Sequence, residues 1–261
     1  SEQGIRAIIE ANMDWEDISI PEPTFAMAEV YAQIYGLQVK KYPYKYYKRK
    51  FHIELEPSQI TYIASPDNPT GHVFDYSTVI DACEASEVVI LDECYHEFSH
   101  YDVTGLISEY DNLYILRSFS KAGGVAGLRV GYIISSIKNI DCLYQKRPMY
   151  EIGSIGCEYV KMMSRFPDTL AQSAHCLIEG KKMLELWLRN NEYIVPHADG
   201  NFTLVEYDEE LANALDQVIV YKIVHIDEQK FIRITSADKR IMQEIIDYVS
   251  GPNILPSPEV R

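Results

Sequence analysis

Three short apolar runs set the strongest limit on what this chain can fold into: ITYIAS at 60–65, VVIL at 88–91 and LYILR at 113–117. Apolar residues follow one another in these runs instead of alternating, the pattern of a strand covered on both faces. The first run is stopped by Pro66 and by the turn signal Asn68-Pro69-Thr70-Gly71. A helical pattern over 74–86, with Val79, Ile80, Ala82 and Cys83 on its apolar side, separates the first run from the second, and a fourth run, VGYII at 130–134, follows the third. Strands alternating with helices predict an α/β domain with a largely parallel sheet.

Further helices and strands flank that centre. The stretch 23–35 reads as a helix, with proline at its start and Gly36 just past its end. Over 156–190 the pattern is helical and long enough to bridge two domains. Short strands are predicted at 202–206, 218–221 and 231–235, and a last helix at 239–249, which together make a smaller α+β unit. The division expected is a large domain over 1–155 and an interdomain helix with a small C-terminal domain over 156–261. There is no internal repeat, and only the tail GPNILPSPEVR looks loose.

Composition removes several function classes. No stretch approaches the roughly 18 uninterrupted apolar residues of a membrane span, and SEQGIRAIIE lacks a basic region followed by an apolar core. Cys83, Cys94, Cys142, Cys157 and Cys176 lie far apart without a C-x-x-C pair, which reads as reduced thiols in a cytoplasm. A net charge of −15, from 24 basic and 39 acidic residues, opposes attraction to nucleic acid or anionic lipid. The local exception, KKYPYKYYKRK at 40–50, could contact a polyanion but reads as a solvated edge strand and loop.

In a sheet of this kind ligands gather outside the carboxyl ends of the strands. Asn68 follows one strand, Asp92 ends the next, and Ser118, Ser120 and Lys121 follow a third, so an amide, a carboxylate, two hydroxyls and an amine are expected at one rim. Arg129 lies beyond the glycine-rich Ala122-Gly123-Gly124-Val125-Ala126-Gly127, a loop able to bring its guanidinium back beside the hydroxyls. Together they make an anion pocket suited to a phosphate. A competing motif is present: His96-Glu97-Phe98-Ser99-His100 fits H-E-x-x-H, which on a helix supplies two zinc ligands and a base. Its context is wrong, since His96 follows the strand-ending Asp92 closely and the loop signal Tyr101-Asp102-Val103-Thr104-Gly105 leaves little helix. No metal is expected.

The segments SPDNPTG, LDECY and RSFSKAGGVAGLRVGY resemble the signatures of fold-type I pyridoxal-phosphate enzymes, in particular class I/II aminotransferases close to histidinol-phosphate aminotransferase. EPTFAMAEVYAQIYG and FIRITSADKR look like further family segments, in the family's order. The resemblance implies a three-layer fold, pyridoxal 5'-phosphate as cofactor, small-molecule amino-acid and 2-oxo-acid substrates, and a homodimer. It implies that Lys121 forms the Schiff base with the cofactor aldehyde and moves the substrate proton. Asp92 would pair with the pyridine nitrogen. Tyr95 and Asn68 would bond the phenolic oxygen, and Phe25 would stack on the ring. Ser118, Ser120 and Arg129 would form the phosphate cup, completed by backbone N–H groups of Ser1, Glu2 and Gln3 at a helix start. Arg233 would clamp the substrate α-carboxylate.

Two departures stand beside the matches. Relatives carry a substantial segment ahead of the phosphate-binding turn, inside which this chain begins, so a preceding segment is expected. Where histidinol-phosphate enzymes place an arginine for the substrate phosphate, this chain has Tyr221, followed by Lys222, which strand alternation would aim to the other face. The leading reading is an aminotransferase. The alternatives are a phosphate-substrate decarboxylase of the same fold and an inert, cofactor-free module of a larger biosynthetic protein.

Overall fold

The computed structural model describes residues 1–99, 101–149, 151–166 and 168–251. Along the first part of the chain run α1 (Glu2–Ala11), β1 (Asp17–Glu22), α2 (Met27–Ile34), β2 (Gln38–Pro43), β3 (Lys45–Tyr47), β4 (Lys50–His52), β5 (Ile60–Ala64), α3 (Tyr76–Ala85), β6 (Val88–Asp92), β7 (Leu113–Ser118), β8 (Gly131–Ile134) and α4 (Ile137–Lys146). After them come α5 (Ser154–Arg165), α6 (Asp168–Asn190), β9 (Phe202–Glu206), α7 (Glu209–Leu215), β10 (Lys222–Ile226), β11 (Gln229–Thr235) and α8 (Lys239–Ser250).

Six strands form one sheet in the order β2-β1-β5-β6-β7-β8. All its pairs are parallel except β7 with β8. β5 and β6 are buried at every residue, which is why their sequences are continuously apolar. On one face Ile5, Ile8 and Ile9 of α1 and Ala28 and Ala32 of α2 pack on Tyr62, Ile90 and Leu116. On the other, Val79, Ala82 and Cys83 of α3 pack on Ile63, Val89, Leu91 and Ile115. Helices on both faces make the three layers. The run at 40–50 divides between the edge strand β2 and the hairpin β3–β4.

The C-terminal part has an antiparallel sheet ordered β10-β11-β9. Leu184 and Leu188 of α6, Leu211 and Leu215 of α7, and Met242, Ile245 and Ile246 of α8 share a core with Val205, Ile232 and Ile234 of that sheet.

Several expectations change. The helix predicted over 23–35 begins only at Met27. The helical stretch 156–190 is two helices, α5 ending before Phe166 and α6 starting at Asp168, with the helix breaker Pro167 between them in the sequence. The strand predicted at 218–221 is displaced: 216–218 form a turn, and β10 starts at Lys222. β1, α4 and α7 were not predicted, although α4 and α7 carry legible caps: Ser136 Oγ accepts from the Asn139 N–H at 3.4 Å and Asp208 Oδ1 from the Leu211 N–H at 2.8 Å. Residues 252–261 of the tail lie outside the described residues.

Candidate active site

A cavity of about 960 Å³ opens at the carboxyl ends of β5, β6 and β7 and under the start of α1. Its lining brings together Ser1, Glu2, Gln3, Phe25, Asn68, Asp92, Tyr95, Ser118, Ser120, Lys121 and Arg129, residues that span more than a hundred positions of sequence. Arg233 does not line it, but its guanidinium lies 3.5 Å from the Tyr95 hydroxyl.

Asp92, 5% exposed at the end of β6, is held from two sides: Oδ2 accepts from the Tyr62 hydroxyl at 3.1 Å and Oδ1 from the Cys94 N–H at 3.1 Å. Its charge tells on both neighbours. Burial, reinforced by Asp92, pushes the Tyr62 phenol and the Cys94 thiol well above their ordinary values. Lys121 lies with its ammonium 4.8 Å from the centroid of the Tyr95 ring. Beside it Ser118 Oγ accepts the Ser120 N–H at 3.0 Å. α1 approaches the sheet end closely at Gly131 of β8, where a Cβ would come within 2.8 Å of the Ser1 nitrogen and 2.7 Å of the Arg117 carbonyl oxygen. That approach sets the start of α1 beside Ser118, the register partner of Gly131.

Arg129 departs in part from expectation. It is held in the left-handed region at φ 54°, and its side chain, 64% exposed, pairs with Glu2 at 2.9 Å. The Glu2 carboxylate engages Nη2 of the guanidinium that the phosphate reading requires, so an anion in the cup would compete with it. Arg233 is buried enough for desolvation to lower its pKa; its guanidinium lies 4.0 Å from the centroid of the Phe202 ring, and Nε has no partner among the described residues. Such a cation is suited to a carboxylate.

Sequence reasoning passed over Asp67. It is completely buried, Oδ1 accepting from Thr24 Oγ1 at 2.5 Å and Oδ2 from Thr70 Oγ1 at 2.7 Å. These bonds tie the turn bearing Asn68 to the segment bearing Phe25. The same turn is clamped from outside: Gly71, at φ 66°, accepts the Asp199 N–H at 2.8 Å, and a Cβ there would meet Ala198 Cβ at 2.5 Å. The signal was present, a carboxylate with a hydroxyl three residues on in D-N-P-T. Glu93 was passed over as well. It is 1% exposed and paired with Arg117 at 2.8 Å, and burial pushes its carboxyl up to about 7 even so.

The zinc motif does not form its helix. His96–Phe98 is a single 3-10 turn, and His100 lies outside the described residues. Among the described residues there is no cluster of three histidine, cysteine or carboxylate side chains arranged for a metal. Tyr221 is bonded to the Ala212 carbonyl at 3.3 Å. Lys222 is the cross-strand partner of Arg233, so the two cations stand on the same face of the C-terminal sheet, while Tyr221 packs with the core on the other.

A mostly parallel sheet with helices on both faces, and a rim bearing a lysine, a buried carboxylate and two serine hydroxyls near a helix start, are the attributes of the fold-type I pyridoxal-phosphate class. Residues 4–249 match the family described as aminotransferase class I and II. The chain belongs to that family. It is 35% identical over 198 residues to the histidinol-phosphate aminotransferase of Pyrococcus furiosus, an alignment covering 73% of this chain and 57% of that protein. The chain thus spans a little over half the length of that relative. Its fold is shared with a putative histidinol-phosphate aminotransferase from Erwinia carotovora atroseptica, at TM-score 0.82 and 22% identity over 95% of this chain and 78% of that one. It is shared too with the Sinorhizobium meliloti histidinol-phosphate aminotransferase in complex with pyridoxal-5'-phosphate, at TM-score 0.76 and 18% identity over 94% and 74%.

The donor set fits pyridoxal phosphate. A buried carboxylate suits a protonated ring nitrogen, an amine an aldehyde, and hydroxyls with a guanidinium at a helix start a phosphate.

Proposed function

We propose that the protein is a pyridoxal-phosphate-dependent aminotransferase moving an amino group between an amino acid and a 2-oxo acid. The observation that supports it is the convergence of Lys121, Asp92, Asn68, Tyr95, Ser118 and Ser120 on one cavity. When bound, the cofactor supplies an aldehyde to take the amino group and a ring to draw electrons from the substrate α-carbon. Asp92, fixed by Tyr62 and Cys94, keeps a proton on the ring nitrogen. Asn68 and Tyr95 orient the ring oxygen, and Phe25 covers one face. Ser118, Ser120 and Arg129, with the backbone of Ser1, Glu2 and Gln3, hold the phosphate in competition with the Glu2 carboxylate for Arg129. Lys121 would hold the cofactor through its amine and would carry the proton at the substrate α-carbon. Arg233 binds the α-carboxylate.

The functional division follows at 1–155 for the cofactor and 156–261 for the small domain. The substrate is an amino acid or an amino-acid-derived amine. Tyr221, committed to the Ala212 carbonyl, offers no charge for a substrate phosphate, whereas Lys222 shares the face of Arg233. The working assembly is a homodimer in the cytoplasm; no helix among the described residues is long and apolar enough to cross a membrane.

Borohydride reduction of the protein loaded with pyridoxal phosphate tests the reading. Peptide mapping should place the label on Lys121, and Lys121→Ala should abolish both label and turnover. A label elsewhere, or substantial turnover in the variant, refutes it. Carbon dioxide release instead of oxo-acid formation would assign the site to a decarboxylase.

A further inference from the structure

The basic, tyrosine-rich run has no part in the site, yet part of it grips the sheet that carries Arg233. Tyr46, in the middle of β3, donates its hydroxyl to Glu206 at 2.8 Å, and Glu206 is the last residue of β9. The Tyr46 N–H donates to Asp227 Oδ2 at 3.2 Å and Lys45 Nζ to Asp227 Oδ1 at 3.2 Å. Asp227 sits in the turn joining β10 to β11. The Tyr46 ring meets Phe231 edge-on, with centroids 5.0 Å apart at 90°, and Phe51 on β4 meets the same phenylalanine at 5.5 Å. Phe231 lies two residues before Arg233 on β11, and so on the same face. One hairpin thereby holds β9, the β10–β11 turn and β11.

Arg233 needs such support. Its direct anchors are a long bond to Tyr95 and the face of Phe202, so its guanidinium goes where β11 goes. A bidentate grip on a carboxylate tolerates roughly 0.5 Å of error. The contacts differ in weight. Lys45 is 61% exposed and its pair with Asp227 is screened by solvent. The Tyr46 hydroxyl bond to Glu206 is part-buried and charge-assisted, and its half-buried ring packs on the fully buried Phe231.

We infer that the β3–β4 hairpin is a strap that sets the place of Arg233, with Tyr46 as a positioning residue for the substrate's carboxylate end. The inference rests on Arg233 being the carboxylate contact.

The test uses the cofactor-loaded protein, the proteinogenic amino acid giving the fastest turnover in a screen, and the deaminated acid of that amino acid as a binding probe. Tyr46→Phe, which keeps the ring and removes the hydroxyl, should raise KM and weaken probe binding by calorimetry about three- to tenfold, the reach of one hydrogen bond. kcat, the cofactor dissociation constant and the unfolding midpoint should stay near wild type. Asp227→Asn, cutting the other side of the strap, should move the same two quantities in the same direction. Arg233→Lys is measured alongside. If Arg233→Lys alters neither KM nor probe binding, the carboxylate reading of Arg233 falls and the strap with it. If Arg233→Lys weakens both while Tyr46→Phe weakens neither, the strap alone is overturned. Equal losses in kcat, cofactor affinity and unfolding midpoint for Tyr46→Phe would reduce the hairpin to a brace and overturn the positioning role.

Discussion

Asp67 shows how a residue outside the reaction shapes the rim. Its buried carboxyl holds the Asn68 turn against the Phe25 segment through Thr24 and Thr70. Burial outweighs those bonds and pushes it up to about 6, above the ordinary 3.8. The folded chain therefore binds this proton more tightly than the unfolded chain does. The resulting stability is complete below about pH 4 and is lost as pH rises through 6. At about 1.36 kcal/mol per pH unit the loss approaches 2–3 kcal/mol. Asp67→Asn has nothing to ionise there, so denaturant unfolding from pH 4 to 8 should show the variant gaining about 2 kcal/mol on wild type, nearly all of it below pH 7. A difference that stays constant with pH would refute this account. Asp92, Asn68 and Lys121 were legible because each lies at or within a few residues of the end of an apolar run and carries a group suited to a ligand; Asp67 lies there too, but its role as a buried tie depends on Thr24, 43 positions away.

At the scale of elements, burial on both faces made β5, β6 and β7 readable, while β1 escaped. Its sequence DISIPE includes a proline and charged ends, and it is completed as a strand by its neighbours β2 and β5. The β3–β4 hairpin escaped for a different reason. Lys48 and Arg49 fill its two-residue turn, both at positive φ, 52° and 59°. That geometry favours Asn-Gly, so the turn carried no sequence signal. Left-handed backbone at two such residues is costly. Lys48→Asn combined with Arg49→Gly should stabilise the protein by about 1–2 kcal/mol, read as a higher denaturant midpoint with unchanged slope. A midpoint that falls would mean that the two cations hold the tip by contacts worth more than the strain.

For the whole molecule the expected outcome is a symmetric dimer, the commonest homo-oligomer. If two chains complete the cofactor site, cofactor retention should fall on dilution below the dimer dissociation constant. Light scattering with parallel cofactor absorbance checks it, and a fully loaded monomer at every concentration would exclude a shared site. The sequence by itself determined the strand centre of the α/β domain and the rim residues, because a strand buried on both faces must be continuously apolar and the polar residue after it must fall at the sheet edge. Other features it left open. The register that sets Lys222 opposite Arg233, the pairing of Arg129 with Glu2 and the grip of the hairpin on β11 were decided only by the tertiary structure. Each depends on groups far apart in the chain whose meeting no local periodicity records.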